Sequence, residues 1–233
     1  MRLPLLVITV IVSLLLSACA TIPGLSTQAA SEDHHPSNEA VPPAEPTPTP
    51  AVAPVVLILD GSGSMREADL DGEGTRIDAA REAAKKFVGA LPQGTPIALV
   101  SYGDQTPDDA PVEEGCSDVS VKVTLGPRSD TFDAAVDGLT PVGWSPIGAA
   151  LTQAVDLLPD GPAYIVLVSD GEDTCTPPEP CETTQQLVDA HPGLVVSTIG
   201  LRASSGQLSC IADAGHGVHV TADNADQLER RLD

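Results

Sequence analysis

Val55-Val56-Leu57-Ile58-Leu59-Asp60-Gly61-Ser62-Gly63-Ser64-Met65 is the stretch that decides the fold of this chain. Five consecutive branched apolar side chains read as a strand covered on both faces, because a half-exposed strand alternates apolar with polar residues. The run ends in an acid and enters a loop where three oxygen-bearing side chains, Asp60, Ser62 and Ser64, stand at every second position. Residues spaced by two in a turn leaving a strand point to one side. The intervening glycines permit φ values that let such a loop wrap closely around an ion.

Strand and helix patterns alternate after this stretch. Ile97 to Val100, Tyr164 to Val168 and Val195 to Ile199 are further buried runs, and Val218-His219-Val220 is a short last strand. Val119 to Leu125 places Val119, Val121, Val123 and Leu125 at alternate positions, the mark of a half-exposed edge strand. Helical spacing covers Arg76 to Leu91, Thr131 to Leu139, Pro146 to Leu158, Thr183 to Ala190, Gln207 to Ala214 and Ala225 to Leu232. The expected fold is therefore α/β: a doubly wound, mostly parallel sheet with one antiparallel edge strand and helices on both faces. Aromatic residues make up only 2% of the chain, so the core must be built from Val, Leu, Ile and Ala.

Before this domain the chain reads differently. Leu3 to Leu16 is apolar and too short to span a bilayer as a helix, which fits a signal peptide over residues 1–18. Leu16-Ser17-Ala18-Cys19 resembles the lipobox of bacterial lipoproteins. That resemblance implies acyl chains on Cys19, anchorage to a bacterial membrane and a place in the cell envelope outside the cytoplasm. Two or more chains anchor stably where one does not. Residues 19–54 are rich in Pro, Ala, Ser, Thr and Glu, cannot bury enough apolar surface to fold, and read as a spacer of at most roughly 100 Å. His34 and His35 fall in it as solvated residues. The formal charge of −22 repels phosphate backbones and argues against nucleic acid as a partner.

In a doubly wound sheet, ligands bind beyond the carboxyl ends of the strands where the strand order reverses. Two further loops end there. Tyr164 to Val168 runs into Ser169-Asp170-Gly171, and Pro141-Val142-Gly143-Trp144-Ser145-Pro146 places a hydroxyl just before a helix. Asp60, Ser62, Ser64, Ser145 and Asp170 together form an all-oxygen donor set, which suits Mg²⁺, with Mn²⁺ or Ca²⁺ as alternatives. Uncharged hydroxyl donors leave the ion positive enough to take an external carboxylate. Trp144, Gly143 and Glu172 are expected at the rim, where a partner would rest.

DGSGSM after a buried strand, WSPIGAAL, and IVLVSDGED before further βα units resemble the von Willebrand factor A domain and its metal-ion-dependent adhesion site. The resemblance spans residues 55–233. It implies Ser62 and Ser64 as direct metal ligands, and Asp60, Ser145 and Asp170 as ligands directly or through water. Ser145 departs from the pattern, which usually has Thr; it keeps the hydroxyl and loses the methyl that limits rotation. The function so implied is a metal-dependent adhesion or interaction module for a protein presenting Asp or Glu, and not an enzyme. The alternatives are a metal-dependent hydrolase or phosphotransferase, or a structural subunit of an envelope complex. Against phosphotransfer, Ser62 stands where a second Asp is required, and the loops offer no cationic group for a phosphoryl charge.

Four cysteines remain beside Cys19: Cys116, Cys175, Cys181 and Cys210. An even number in an exported protein suggests two disulfides, with three possible pairings. The short Pro-rich interval favours a local staple between Cys175 and Cys181, leaving Cys116 with Cys210. Asp69-Leu70-Asp71-Gly72-Glu73-Gly74 begins like an EF-hand loop, but Ala80 occupies the position that requires a bidentate Glu. It reads as a solvated acidic loop, as does the stretch from Gly103 to Asp118. His216 and His219 read as structural.

Overall fold

The computed structural model describes residues 52–70, 74–203 and 206–222. Strands β1 (Val55–Asp60), β2 (Pro96–Tyr102), β3 (Val119–Pro127), β4 (Ala163–Ser169), β5 (Leu194–Leu201) and β6 (His216–Ala222) form one sheet in the order β3-β2-β1-β4-β5-β6. All neighbours are parallel except β2 and β3, so the expected antiparallel edge strand is present. The helices are α1 (Arg76–Ala90), α2 (Val112–Gly115), α3 (Asp130–Asp137), α4 (Ile147–Val155), α5 (Pro180–Ala190) and α6 (Gln207–Ala214).

The period-two geometry of β1 divides its apolar run between two cores. Leu57 and Leu59 pack with Ile77, Ala80 and Ala84 of α1 and with Phe132 and Val136 of α3. Val56 and Ile58 pack on the other face with Ile147 and Leu151 of α4, Val188 of α5, and Leu208 and Ile211 of α6. Every β1 residue is buried, which is why its sequence shows no alternation. Helix α1 begins at a capping box: the Thr75 and Asp78 side chains each bond the other residue's backbone N–H.

The edge strand departs from simple alternation. Val123 packs into the core under α1 and α3, while Val119 and Leu125 pack into the opposite one. The cause is a register shift in the β2–β3 pairing between Leu99–Val123 and Ile97–Gly126, since one extra residue moves the rest of the strand to the other face. Helix α2 is a single turn within the acidic 103–118 loop and has no periodicity to betray it. The helix expected over residues 225–232, the signal segment 1–18, Cys19, and residues 20–51 with His34 and His35 lie outside the described residues. Among the described residues, no helix is long and apolar enough to cross a membrane.

The disulfides correct the expected pairing. Cys116 bonds Cys175 and Cys181 bonds Cys210, with Cα–Cα separations of 5.5 and 5.7 Å. Helix propagation is the reason. Cys181 belongs to the first turn of α5 and turns inward to α6, with its sulfur against the Gln207 carbonyl. Cys175 stays in the loop before it, its N–H bonded to Asp173 Oδ1 at 2.6 Å, beside the end of α2. The staple thus links the loops at the carboxyl ends of β2 and β4, and the second bridge links two helices.

Candidate metal centre

Strand order places β1 between β2 and β4, so chain segments leave the carboxyl ends of β1 and β4 in opposite directions and open a crevice there. Asp60 closes β1 and is fully buried. Its Oδ1 accepts the Ser62 N–H at 2.7 Å and its Oδ2 accepts the Ser169 hydroxyl at 2.6 Å. These bonds favour the charged carboxylate, but burial outweighs them, and with the nearby Asp170 charge pushes its pKa up. Burial and the same carboxylate hold the neighbouring Tyr102 phenol well above its ordinary range.

From Asp60 a chain of oxygens leads across the crevice. Ser62 Oγ lies 3.1 Å from Ser64 Oγ, and the Ser64 hydroxyl donates to Asp170 Oδ1 at 2.8 Å. Ser62 and Ser145 line one cleft of about 290 Å³ with Ser64, Asp108, Trp144 and Thr174. Ser145 is held by two bonds with Thr174: its N–H donates to Thr174 Oγ1 at 2.9 Å and its carbonyl accepts the Thr174 N–H at 3.1 Å. The loop before it is pinned to the first loop, with Gly63 N–H donating to Gly143 O at 2.9 Å. Helix α4 has proline at its N-cap and no cap of its own. Asp173 supplies one from a distance, accepting Gly148 N–H at 2.8 Å, and partial burial raises its pKa.

Glycine acts here by space more than by φ. A Cβ on Gly61 would sit 2.6 Å from Asp104 Cβ and 2.7 Å from the Tyr102 carbonyl, closer than atoms tolerate. Neither Gly61 nor Gly63 has positive φ; Gly103 does, at 67°, where it passes beneath Ser62.

The rim differs from expectation in three places. Gly143 lines the cleft but is buried, with its N–H on Gly103 O and its carbonyl under Gly63, so it has nothing left for a partner. Trp144 is half-buried, its ring lying flat where a Gly115 side chain would otherwise be, so one face is committed to packing. Glu172 is exposed and lies apart from the residues lining the cleft. Thr174 and Asp108 take rim positions instead; Thr174 is the fifth residue after Ser169, a spacing that carries no signal of its own.

The larger omission is a cation. Arg76, the first residue of α1, donates from Nη1 to Asp170 Oδ2 at 2.7 Å, with its side chain 15% exposed against 1% for Asp170. Its Nε and Nη2 donate to the two oxygens of Asp69 at 2.8 and 2.6 Å. The acidic Asp69 loop therefore aims an arginine, and the expectation that no cationic group enters the site is corrected. A second, exposed pair joins Arg66 to Asp108 at 3.1 Å on the cleft edge.

This donor set fits a hard divalent cation. It contains two carboxylates whose mutual repulsion an ion would offset, and hydroxyls oriented by bonds that leave oxygen lone pairs free. Among the described residues no three His, Cys, Asp or Glu side chains cluster, so the arrangement does not suit zinc.

The von Willebrand factor type A domain profile matches residues 55–172, from the start of β1 to just past Asp170. The chain belongs to that family. The uncharacterized protein YwmC of Bacillus subtilis is 30% identical over 200 residues, 80% of this chain and 85% of its own. Among solved structures, a von Willebrand factor type A protein from Catenulispora acidiphila superimposes with a TM-score of 0.62 at 21% identity, over 78% of this chain and 41% of that one. The manganese-loaded TRAP protein of Plasmodium vivax aligns with a TM-score of 0.53 at 15% identity, over 78% of this chain and 72% of that one. At these identities the structural likeness speaks for the type A fold alone.

Proposed function

We propose that this type A domain is a metal-dependent interaction module, exported and tethered to a bacterial membrane through acyl chains on Cys19 and the Pro-rich segment up to residue 54. Von Willebrand factor A domains commonly mediate protein interactions or adhesion. The observation that carries the reading is the continuous run of oxygens from Asp60 through Ser62 and Ser64 to Asp170, opening on a cleft that also holds Ser145. Ser62 and Ser64 would hold Mg²⁺ directly, with Mn²⁺ or Ca²⁺ as substitutes; Asp60, Ser145 and Asp170 would act directly or through water. A family relative that holds manganese supports a divalent ion here. Bound there, the ion supplies an electrophilic position for a carboxylate of a protein partner. The chain's own residues do the rest: Asp60 and Asp170 orient the serine hydroxyls, and the Thr174 clasp fixes Ser145 at the cleft wall.

A non-enzymatic role fits better than hydrolysis or phosphotransfer. Both Asp60 oxygens are already held by hydrogen bonds, and Arg76 has its three outward nitrogens on Asp69 and Asp170, so none points to a substrate phosphoryl. Calorimetric titration with Mg²⁺, Mn²⁺ and Ca²⁺ of wild type and Asp60→Ala tests the site. Pull-down of envelope proteins with and without EDTA then tests the function. Metal binding lost in Asp60→Ala, with metal-dependent capture and no turnover, is expected. Turnover of a phosphate or ester substrate that Asp60→Ala abolishes would select the enzyme instead. For the anchor, Cys19→Ser should stop palmitate labelling and release the protein from the membrane fraction.

A further inference from the structure

Arg76 is held more tightly than a surface arginine. It follows the Thr75 cap directly, its N–H donates to Glu67 O at 2.9 Å, and its three outward nitrogens meet two carboxylates at 2.6 to 2.8 Å. Asp69 takes the bidentate pair and so fixes the plane of the fork, which directs Nη1 at Asp170 Oδ2. A lysine, with one nitrogen at the end of a flexible stem, cannot make this arrangement. Asp170 in turn has Oδ2 on Arg76 and Oδ1 on the Ser64 hydroxyl.

We propose that Arg76, clamped by Asp69, is a positioning and charge-setting residue that makes cation binding and carboxylate binding depend on one another. The inference rests on reading the oxygen cluster as a cation site. Arg76 holds Asp170 back as the orienter of Ser64 and cancels its charge. Asp60 is then the one uncompensated acid facing a divalent ion, and the occupied site keeps a net positive charge. That charge opposes the ion when it is alone and favours it when an outside carboxylate arrives. Two ligands that each raise the other's affinity must do so by the same factor. The type A fold could have placed any residue at the start of α1; an arginine with a dedicated acidic clamp gives a site that holds its metal well only in company.

The test titrates Mn²⁺ into the full chain, purified in detergent, by calorimetry in sodium acetate as the carboxylate probe and in sodium chloride at equal ionic strength. Acetate should strengthen Mn²⁺ binding several-fold in wild type. Arg76→Gln should bind Mn²⁺ about tenfold more tightly in chloride, the scale of removing one nearby like charge at a partly exposed site. Its response to acetate should shrink to less than about twofold, as the coupling is lost. Arg76→Lys, which keeps the charge, should restore much of the acetate dependence, a result that packing alone would not produce. Where Arg76→Gln fails to melt like wild type, Asp69→Asn serves instead. It keeps the helix cap, frees the guanidinium to swing off Asp170 and should move Mn²⁺ affinity the same way by about threefold, as loss of one ion-pair anchor would. Unchanged affinity and acetate response in these variants would overturn the proposal, as would loss of Mn²⁺ binding in a fully folded Arg76→Gln. Wild type that binds no Mn²⁺, like Asp60→Ala, would instead overturn the cation site itself.

Discussion

Replacing Cys175 and Cys181 together by serine asks the sharpest question of the disulfide framework. The two residues belong to different bridges, so the double variant breaks both and leaves Cys116 and Cys210 without partners. The Cys116–Cys175 bridge closes a sequence separation of 59 residues and Cys181–Cys210 one of 29. Loop-closure entropy makes these worth about 4 and about 3.5 kcal/mol at 25 °C, and engineered and native bridges often deliver less. Their joint loss, on the order of 7 kcal/mol as an upper figure, is comparable with the whole stability of a domain this size. Had Cys175 and Cys181 bonded each other, the same variant would open one short loop, worth about 2 kcal/mol. Urea unfolding of the oxidised proteins separates these outcomes, and thiol titration under denaturant checks them. The expected result is a variant close to unfolded in buffer with two more free thiols than wild type. A loss near 2 kcal/mol with no new thiols would refute the pairing and the account of the β4 loop built on it.

Gly143→Ala should cost about 2 kcal/mol, because its Cβ would press on the Thr106 carbonyl while both Gly143 backbone groups are bonded in place; thermal melting measures it. Asp78→Ala should lose about 1 kcal/mol by removing half of the capping box. The Asp78 carboxyl is held below its ordinary pKa of 3.8, chiefly by the Thr75 hydroxyl, so its contribution is complete above that pH and fades as pH falls through the lowered value. Melting curves of the two proteins should therefore converge below about pH 3, and a gap that persisted there would contradict the assignment. Asp173→Ala should cost about 1 to 2 kcal/mol by stripping the remote cap from α4, whereas Asp173→Asn, which keeps an acceptor oxygen, should cost little; urea midpoints compare them.

Much of this architecture is legible in the residues because burial writes itself into composition. The strands from Val55, Ile97, Tyr164 and Val195 are apolar throughout, since helices cover both faces, and each ends where its loop turns to the ligand side. Asp60, Ser62 and Ser64 could be placed because their alternation follows a strand of known direction. The features that stayed hidden depend on contacts across the chain. Arg76 looks like an ordinary helix-starting residue until the fold brings Asp170 to it across 94 positions. The pairing of Cys181 turns on which way the first turn of α5 faces, which a proline-rich spacing does not encode. The bulge that carries Leu125 to the opposite core from Val123 depends on pairing with β2, and alternation within one strand cannot report it.

The central place of β1 also divides the donors between the two halves of the polypeptide. Asp60, Ser62 and Ser64 come from the segment that builds one wing of the sheet, while Ser145 and Asp170 come from the segment that builds the other. Neither wing can assemble the crevice without its counterpart. A chain interrupted anywhere between them, during synthesis or by a protease, would be blind to metal, and competence to bind an ion would report that both wings had met.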